Sequence, residues 1–334
     1  MDRRHVLTLL AAAAAGCSSQ PTEPTSTPDP TQTSTETATD TATASPTETA
    51  TDTATASPTD GAGSGSDIDA VVATLNGVYA DLEPTLETLE VADLDTDALT
   101  SRLETARRNI ERLREGGTAD AERLQSLSDT RWIFDRLVRA LARFDEAYDI
   151  HTELNAAYRA SETTDETTNR LDRFATLADE AASSSGTAVA RYDSMNSFDS
   201  ALDADYATFE DQIFRVGDTA NALTPFVRGL ETAIPARERY QQAVESYADG
   251  AYRDAQNTFI DLVNTFSDAR DWFDRADGIA GPLADPYEQY HCDARAARIA
   301  CSDYRAACRE QLDNDSGRAE RRRMQAEQRY SECS

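Results

Sequence analysis

Five cysteines and two histidines carry most of the chemistry this chain could perform. Cys292, Cys301, Cys308 and Cys333 cluster near one end, and Cys17 stands alone near the other. Spacings of nine, seven and twenty-five residues are unlike the close CxxC pairs of zinc sites. An even set of thiols in an oxidising compartment favours disulfides, so the four are disulfide candidates, with a metal site including His291 or free buried thiols as the alternatives. Geometry restricts the pairing. On a continuous helix Cys301 and Cys308 would hold their Cα atoms about 10 Å apart, beyond the roughly 7 Å a bridge allows. Cys292 and Cys301 would be farther apart and on opposite faces. Every way of making two bridges uses one such pair, so either the helix breaks near Cys292 or a single bridge forms. The preferred pairing is Cys292–Cys301 with Cys308–Cys333.

Other reactive sets are incomplete. Glu288-x-x-His291 fits one element of a di-iron bundle, which needs a second such element and two further glutamates. The other candidate, His151, has Tyr148 three places before it. Glu288 and His291 are therefore expected as a surface pair, and His151, on an apolar stripe, as a core histidine. No GxSxG elbow is present. Carboxylates are too abundant for any pair to stand out. All 32 basic residues are arginine, which excludes a phosphate-binding GxxxxGK[ST] loop, a Schiff-base lysine and an SxxK nucleophile. These exclusions point away from an enzyme and imply no cofactor and no metal. Tyr287, Tyr290 and Tyr304 could line a groove, but their helical spacing favours core or interface. Asn314-Asp315-Ser316 is a glycosylation sequon in an expected exposed turn.

Cys17 takes its meaning from its surroundings. Arg3-Arg4 opens the chain, Val6 to Ala15 is apolar, and Ala14-Ala15-Gly16 abuts the cysteine. A basic start, a short apolar core and small residues at a cleavage point form a secretory signal over residues 1–16. The apolar core is half of the roughly twenty residues a spanning helix needs. The segment resembles a lipoprotein signal, which implies lipid on Cys17 after cleavage; Ala14 departs from the leucine usual three places before that cysteine. Arg3-Arg4 with His5-Val6-Leu7 resembles a twin-arginine signal for export of folded proteins. No later segment approaches eighteen uninterrupted apolar residues, so the membrane contact would be lipid on Cys17, and two acyl chains hold firmly where one does not.

Residues 17–66 are expected to be the attachment cysteine and a disordered stalk. Thr35 to Pro46 repeats letter for letter as Thr47 to Pro58, and the tract has neither basic nor aromatic residues. Such a composition cannot bury enough apolar surface to offset ordering entropy, and its Thr/Ser/Pro mixture matches a mucin-like stalk. As a random coil it would span about 40 Å. Gly61 to Ser66 is a final flexible joint.

The net charge is −29. Acid excess with lysine replaced by arginine resembles proteins of halophilic archaea, in which dense carboxylates keep a surface hydrated where salt has shrunk the Debye length to about 3 Å. The same charge excludes nucleic acid as a partner, since phosphate contacts need a clustered basic surface. Arg321-Arg322-Arg323 is flanked by Glu320 and Glu327 and is expected to be a solvated helix face.

Residues 67–334 are expected to form an all-α, irregular multi-helix bundle of about eight to nine helices, since apolar residues recur at three- and four-residue spacing without alternating strands. Helices are expected over 67–90 with an interruption near Pro84, from a cap at Thr96 to Gly116-Gly117, and over 119–160. In the last, Leu127, Phe134, Leu141 and Tyr148 recur every seven residues. Thr163 with Glu166 suggests a capping box for a helix to Ala182, broken or bent at Ser183 to Gly186. Further helices are expected over 199–222, 225–248 and 252–277, with Pro225 as a first-turn proline. A cysteine-containing hairpin, 286–312 and 317–332, closes the chain. Tyr247-x2-Gly250-x-Tyr252-x2-Ala255-x3-Phe259 resembles the core of a tetratricopeptide hairpin, but without a second copy at 34 residues it implies a local helix–turn–helix.

These features together suggest a non-enzymatic, lipid-anchored helical module on the outer face of the cell membrane, holding or scaffolding an envelope protein. A solute-capturing receptor for a transporter and an extracytoplasmic metal-dependent enzyme are the alternatives.

Overall fold

The computed structural model describes residues 63–117 and 119–333, all within one compact unit. Arg3, Arg4, Cys17 and the tract up to residue 62 lie outside them. Among the described residues there are eight α-helices and no strand: α1 (Gly63–Thr88), α2 (Thr96–Gly116), α3 (Ala121–Ala160), α4 (Asp165–Asp193), α5 (Tyr206–Ala248), α6 (Tyr252–Arg275), α7 (Ala284–Leu312) and α8 (Ser316–Tyr330). A 3₁₀ turn, Gly281–Leu283, precedes α7. The chain is thus an all-α multi-helix bundle. Its first helix begins inside the segment expected to be a joint.

Helix starts follow capping chemistry, shifted from expectation by one residue in two places. Asp95, not Thr96, caps α2, its carboxylate accepting from the Ala98 amide at 2.9 Å. Thr164, not Thr163, caps α4 by accepting from the Thr167 amide at 3.1 Å. In both cases the side-chain oxygen satisfies a backbone donor that the first turn leaves without a partner. At the other end of α2, Gly117 takes the left-handed conformation (φ 61°) expected of a glycine stop.

Three expected breaks are absent because burial on both sides outweighs local propensity. Pro84 lies within α1, between the fully buried Leu82 and Leu86. The Ser183–Gly186 stretch is helical: Ser185 is buried and the Thr187 hydroxyl donates to the Ser183 carbonyl of its own helix at 3.0 Å. The two helices expected on either side of Pro225 are one, α5, running 43 residues through Pro225 and Pro235. Each proline removes a backbone hydrogen bond, yet Leu223, Phe226, Leu230 and Ile234 are all fully buried around them.

Consecutive helices pack against one another, and α1, α3, α5 and α7 also touch across the even-numbered ones: α1 with α3 and α5, α3 with α5, and α5 with α7. The odd helices thereby form an inner layer flanked by α2, α4, α6 and α8. Two apolar cores result. The larger joins α1–α4 with the first part of α5, the end of α6 and the start of α7. The smaller joins the last turns of α5 (Tyr240, Tyr247), the first part of α6 (Phe259, Phe266), α7 from Ala297 to Cys308, and Ala326 of α8. The Tyr247–Phe259 segment is a helical hairpin turning at Gly250 (φ 81°), with Tyr247 and Tyr252 edge to face at 5.3 Å.

Candidate functional site

The unbroken α7 decides the cysteine pairing. Cys292, Cys301 and Cys308 all lie on it, so no two of them come within bridging reach. Among the described residues a single disulfide forms, Cys292–Cys333, with Cα atoms 5.8 Å apart. The preferred pairing of Cys292 with Cys301 and Cys308 with Cys333 is therefore incorrect, because the helix break it required does not occur. Cys301 and Cys308 are free and fully buried in the smaller core. Burial pushes both thiols up, Cys308 to about 12, which leaves them inert as nucleophiles.

The bridge pins the chain's last residues beside a polar junction where the two cores meet. Tyr330, at the end of α8, stacks on Tyr240 of α5 with ring centroids 4.3 Å apart. Arg237 of α5 lies over the Tyr158 ring at 4.1 Å and the Tyr330 ring at 5.5 Å. Its guanidinium pairs with Asp293 of α7 at 3.3 Å, and these side chains are only 13 % and 10 % exposed. Gln289 donates to the other Asp293 oxygen at 3.0 Å and to the Cys333 carbonyl. Burial pushes the Asp293 carboxyl up, and Arg237 beside it pulls the other way. Burial likewise acts to lower Arg237, but Tyr158, Tyr330 and Asp293 raise it on balance. Each charge depends on the other to be tolerated there.

His151 lies at the same junction, 2 % exposed. Its Nε2 sits 3.1 Å from the Tyr290 hydroxyl, which donates to Asn155 Oδ1 at 3.2 Å. With that hydroxyl proton committed to Asn155, Nε2 carries the hydrogen and donates, and Nδ1 is left a bare acceptor with no partner. A second proton on Nδ1 would be a buried donor without an acceptor. Burial accordingly pushes His151 down to about 4.

The other expected residues are dispersed. His291 Nε2 meets Asp274 of α6 at 2.7 Å near the surface, while Glu288 is exposed. Among the described residues no three His, Cys, Asp or Glu side chains are grouped as a metal site. Asn314 is exposed in the α7–α8 turn with φ 61°. Arg322 pairs with Asp303, and Arg323 with Glu320 and Glu327, along the α8 surface. Tyr290 and Tyr304 are core residues and Tyr287 is half-buried. No helix among the described residues is long and apolar enough to cross a membrane.

A surface groove of about 650 Å³ was not anticipated. Gln125, Ser128, Asp129 and Trp132 line it from α3, and Thr187, Ala190 and Arg191 from α4, with Ser194 that caps its C-terminus. Both sets fall at i, i+3, i+4 and i+7, one face of each helix. Arg114, in the last turn of α2, joins them. A hydrogen-bond relay connects the polar groups: Arg114 Nη2 donates to Gln125 Oε1 at 2.8 Å, Gln125 Nε2 to Asp129 Oδ1 at 2.8 Å, and Arg191 pairs with the same Asp129 oxygen. The signal available in the sequence was a polar stripe carrying a lone tryptophan at heptad spacing. Compared with known proteins, the chain matches no family model, no curated protein and no solved structure.

Proposed function

We propose that this chain is a lipid-anchored helical binding or scaffold lipoprotein on the outer face of the cell membrane, in the manner of an exported protein of a halophilic archaeon. The observation that carries the reading is the run Arg3-Arg4, apolar Val6–Ala15, Ala14-Ala15-Gly16 and Cys17, followed by a Thr/Ser/Pro tract. The Cys292–Cys333 disulfide supports it independently, because such bridges persist in oxidising compartments. A body without strands among its described residues differs from the two α/β lobes usual in solute receptors, which favours the scaffold role. In this reading lipid on Cys17 holds the chain, the tract gives reach, and the helical body engages an envelope protein.

The test is fractionation of expressing cells with intact-mass analysis. The native chain should be found in the membrane fraction, clipped before Cys17 and heavier by its lipid. Cys17→Ser should release it into the medium, and replacing Arg3-Arg4 by lysines should hold it in the cytoplasm. An unclipped chain, still beginning at Met1 and dissolved in the cytosol, refutes the proposal. Crosslinking on intact cells in high salt should then recover one defined envelope partner.

A further inference from the structure

The groove between α3 and α4 is lined by more positive than negative side chains. Arg114 and Arg191 line it against one carboxylate, Asp129, so it carries a net positive charge in a chain of net charge −29. The partner of Arg114 is the neutral Gln125 amide, which orients the guanidinium without cancelling its charge. A guanidinium has five donors, and this contact uses one. Trp132 adds a flat apolar wall, half-buried, with the Arg136 guanidinium 5.1 Å from its ring centre. Ser128 and Thr187 add hydroxyls. The volume of about 650 Å³ is within the usual range for small-ligand clefts.

These groups select a ligand with one negative charge, a flat apolar face and a rim of hydroxyls. A small, multiply charged anion suits the groove poorly. Arg114 and Ser194 sit at the C-terminal ends of α2 and α4, where helix dipoles are negative. A purely apolar ligand would strand the relay of polar groups. A sugar ring offers C–H groups on one face and hydroxyls around its edge, and a uronic acid adds one carboxylate. We propose that this groove binds an acidic saccharide, its carboxylate on Arg114 and its ring against Trp132. The inference rests on the reading of the chain as a binding module and gives that module a ligand class.

The test uses the full chain carrying Cys17→Ser, which removes the question of lipidation, and Trp272→Phe, which leaves Trp132 as the single tryptophan. Galacturonate, the neutral galactose and potassium sulfate are titrated at constant ionic strength, following fluorescence and heat. Galacturonate should give a saturable change, with galactose and sulfate each at least about tenfold weaker, the loss expected for one charge-assisted contact. Arg114→Gln should weaken galacturonate by about tenfold or more, at unchanged helical circular dichroism. If that variant loses helix, Gln125→Leu, which removes the orienting amide, should weaken binding in the same direction. No saturable binding, equal affinity for the neutral sugar or for sulfate, or indifference to both substitutions would overturn the proposal. Such a failure leaves the anchoring test untouched, because fractionation does not depend on the groove.

Discussion

His151 makes this fold sensitive to acid through one identifiable proton. In the folded chain its value is about 4, and in the unfolded chain it returns to about 6.5. The difference of roughly 2.5 pH units corresponds to about 3 kcal/mol at 1.36 kcal/mol per unit. The direction follows from which state binds the proton first. As pH falls below about 6.5 the unfolded chain protonates and the folded chain does not, so stability declines until the folded value near 4 is reached and is unaffected above about pH 7.5. His151→Gln removes this titration while leaving a polar group opposite the Tyr290 hydroxyl. Urea unfolding in molar KCl, followed by circular dichroism between pH 7.5 and 4, measures the effect. The stability of the native chain minus that of the variant should fall by about 3 kcal/mol over that range. Asp293 titrates in the opposite sense, since burial raises its carboxyl, but it does so in both proteins and largely cancels in the difference. A difference that stays constant with pH refutes the neutral, buried histidine.

Three further outcomes follow from the packing. Arg237→Leu strands the Asp293 carboxylate and should destabilise the fold by about 3–5 kcal/mol in denaturant unfolding, with Arg237→Leu plus Asp293→Leu milder than the single change. Reduction of Cys292–Cys333, which spans 41 residues, should remove up to about 4 kcal/mol. Hydrogen exchange should locate that loss in α8, whose buried residues are only Ala319 and Ala326, and leave α1 to α4 protected. Gly229→Ala places a Cβ 2.3 Å from the buried Phe273 ring and should lower stability by about 1–3 kcal/mol, a melting shift of a few degrees, despite alanine's better helix propensity.

The helices were legible because their apolar spacing is strong, while the places where the sequence misled share one cause. Local signals at Pro84, Ser183–Gly186 and Pro225 argue for breaks, and only tertiary burial, which leaves no local mark, overrides them. The heptad stripe of α3 shows the same limit from geometry. Seven residues fall about 20° short of two full helical turns, so Leu127, Phe134 and Leu141 are buried but Tyr148 has rotated to 39 % exposure. Ala147, His151, Leu154 and Tyr158 then carry the buried face. For the cysteines, the distance argument along a helix was sound and left two outcomes, and the intact α7 selects the single bridge. The Arg237–Asp293 pair was invisible because an arginine and an aspartate 56 positions apart are ordinary in so charged a chain. The groove assembles residues from three helices, and only its two i, i+3, i+4, i+7 stripes were written locally.

The continuity of α5, α6 and α7 has a mechanical consequence. Because each of these helices contributes side chains to both apolar clusters, the body has no hinge between its halves and cannot bend there without breaking three backbones' worth of hydrogen bonds. A load applied at α1 is transmitted along stiff rods to the stapled end, so under tension the folded part should yield in one step.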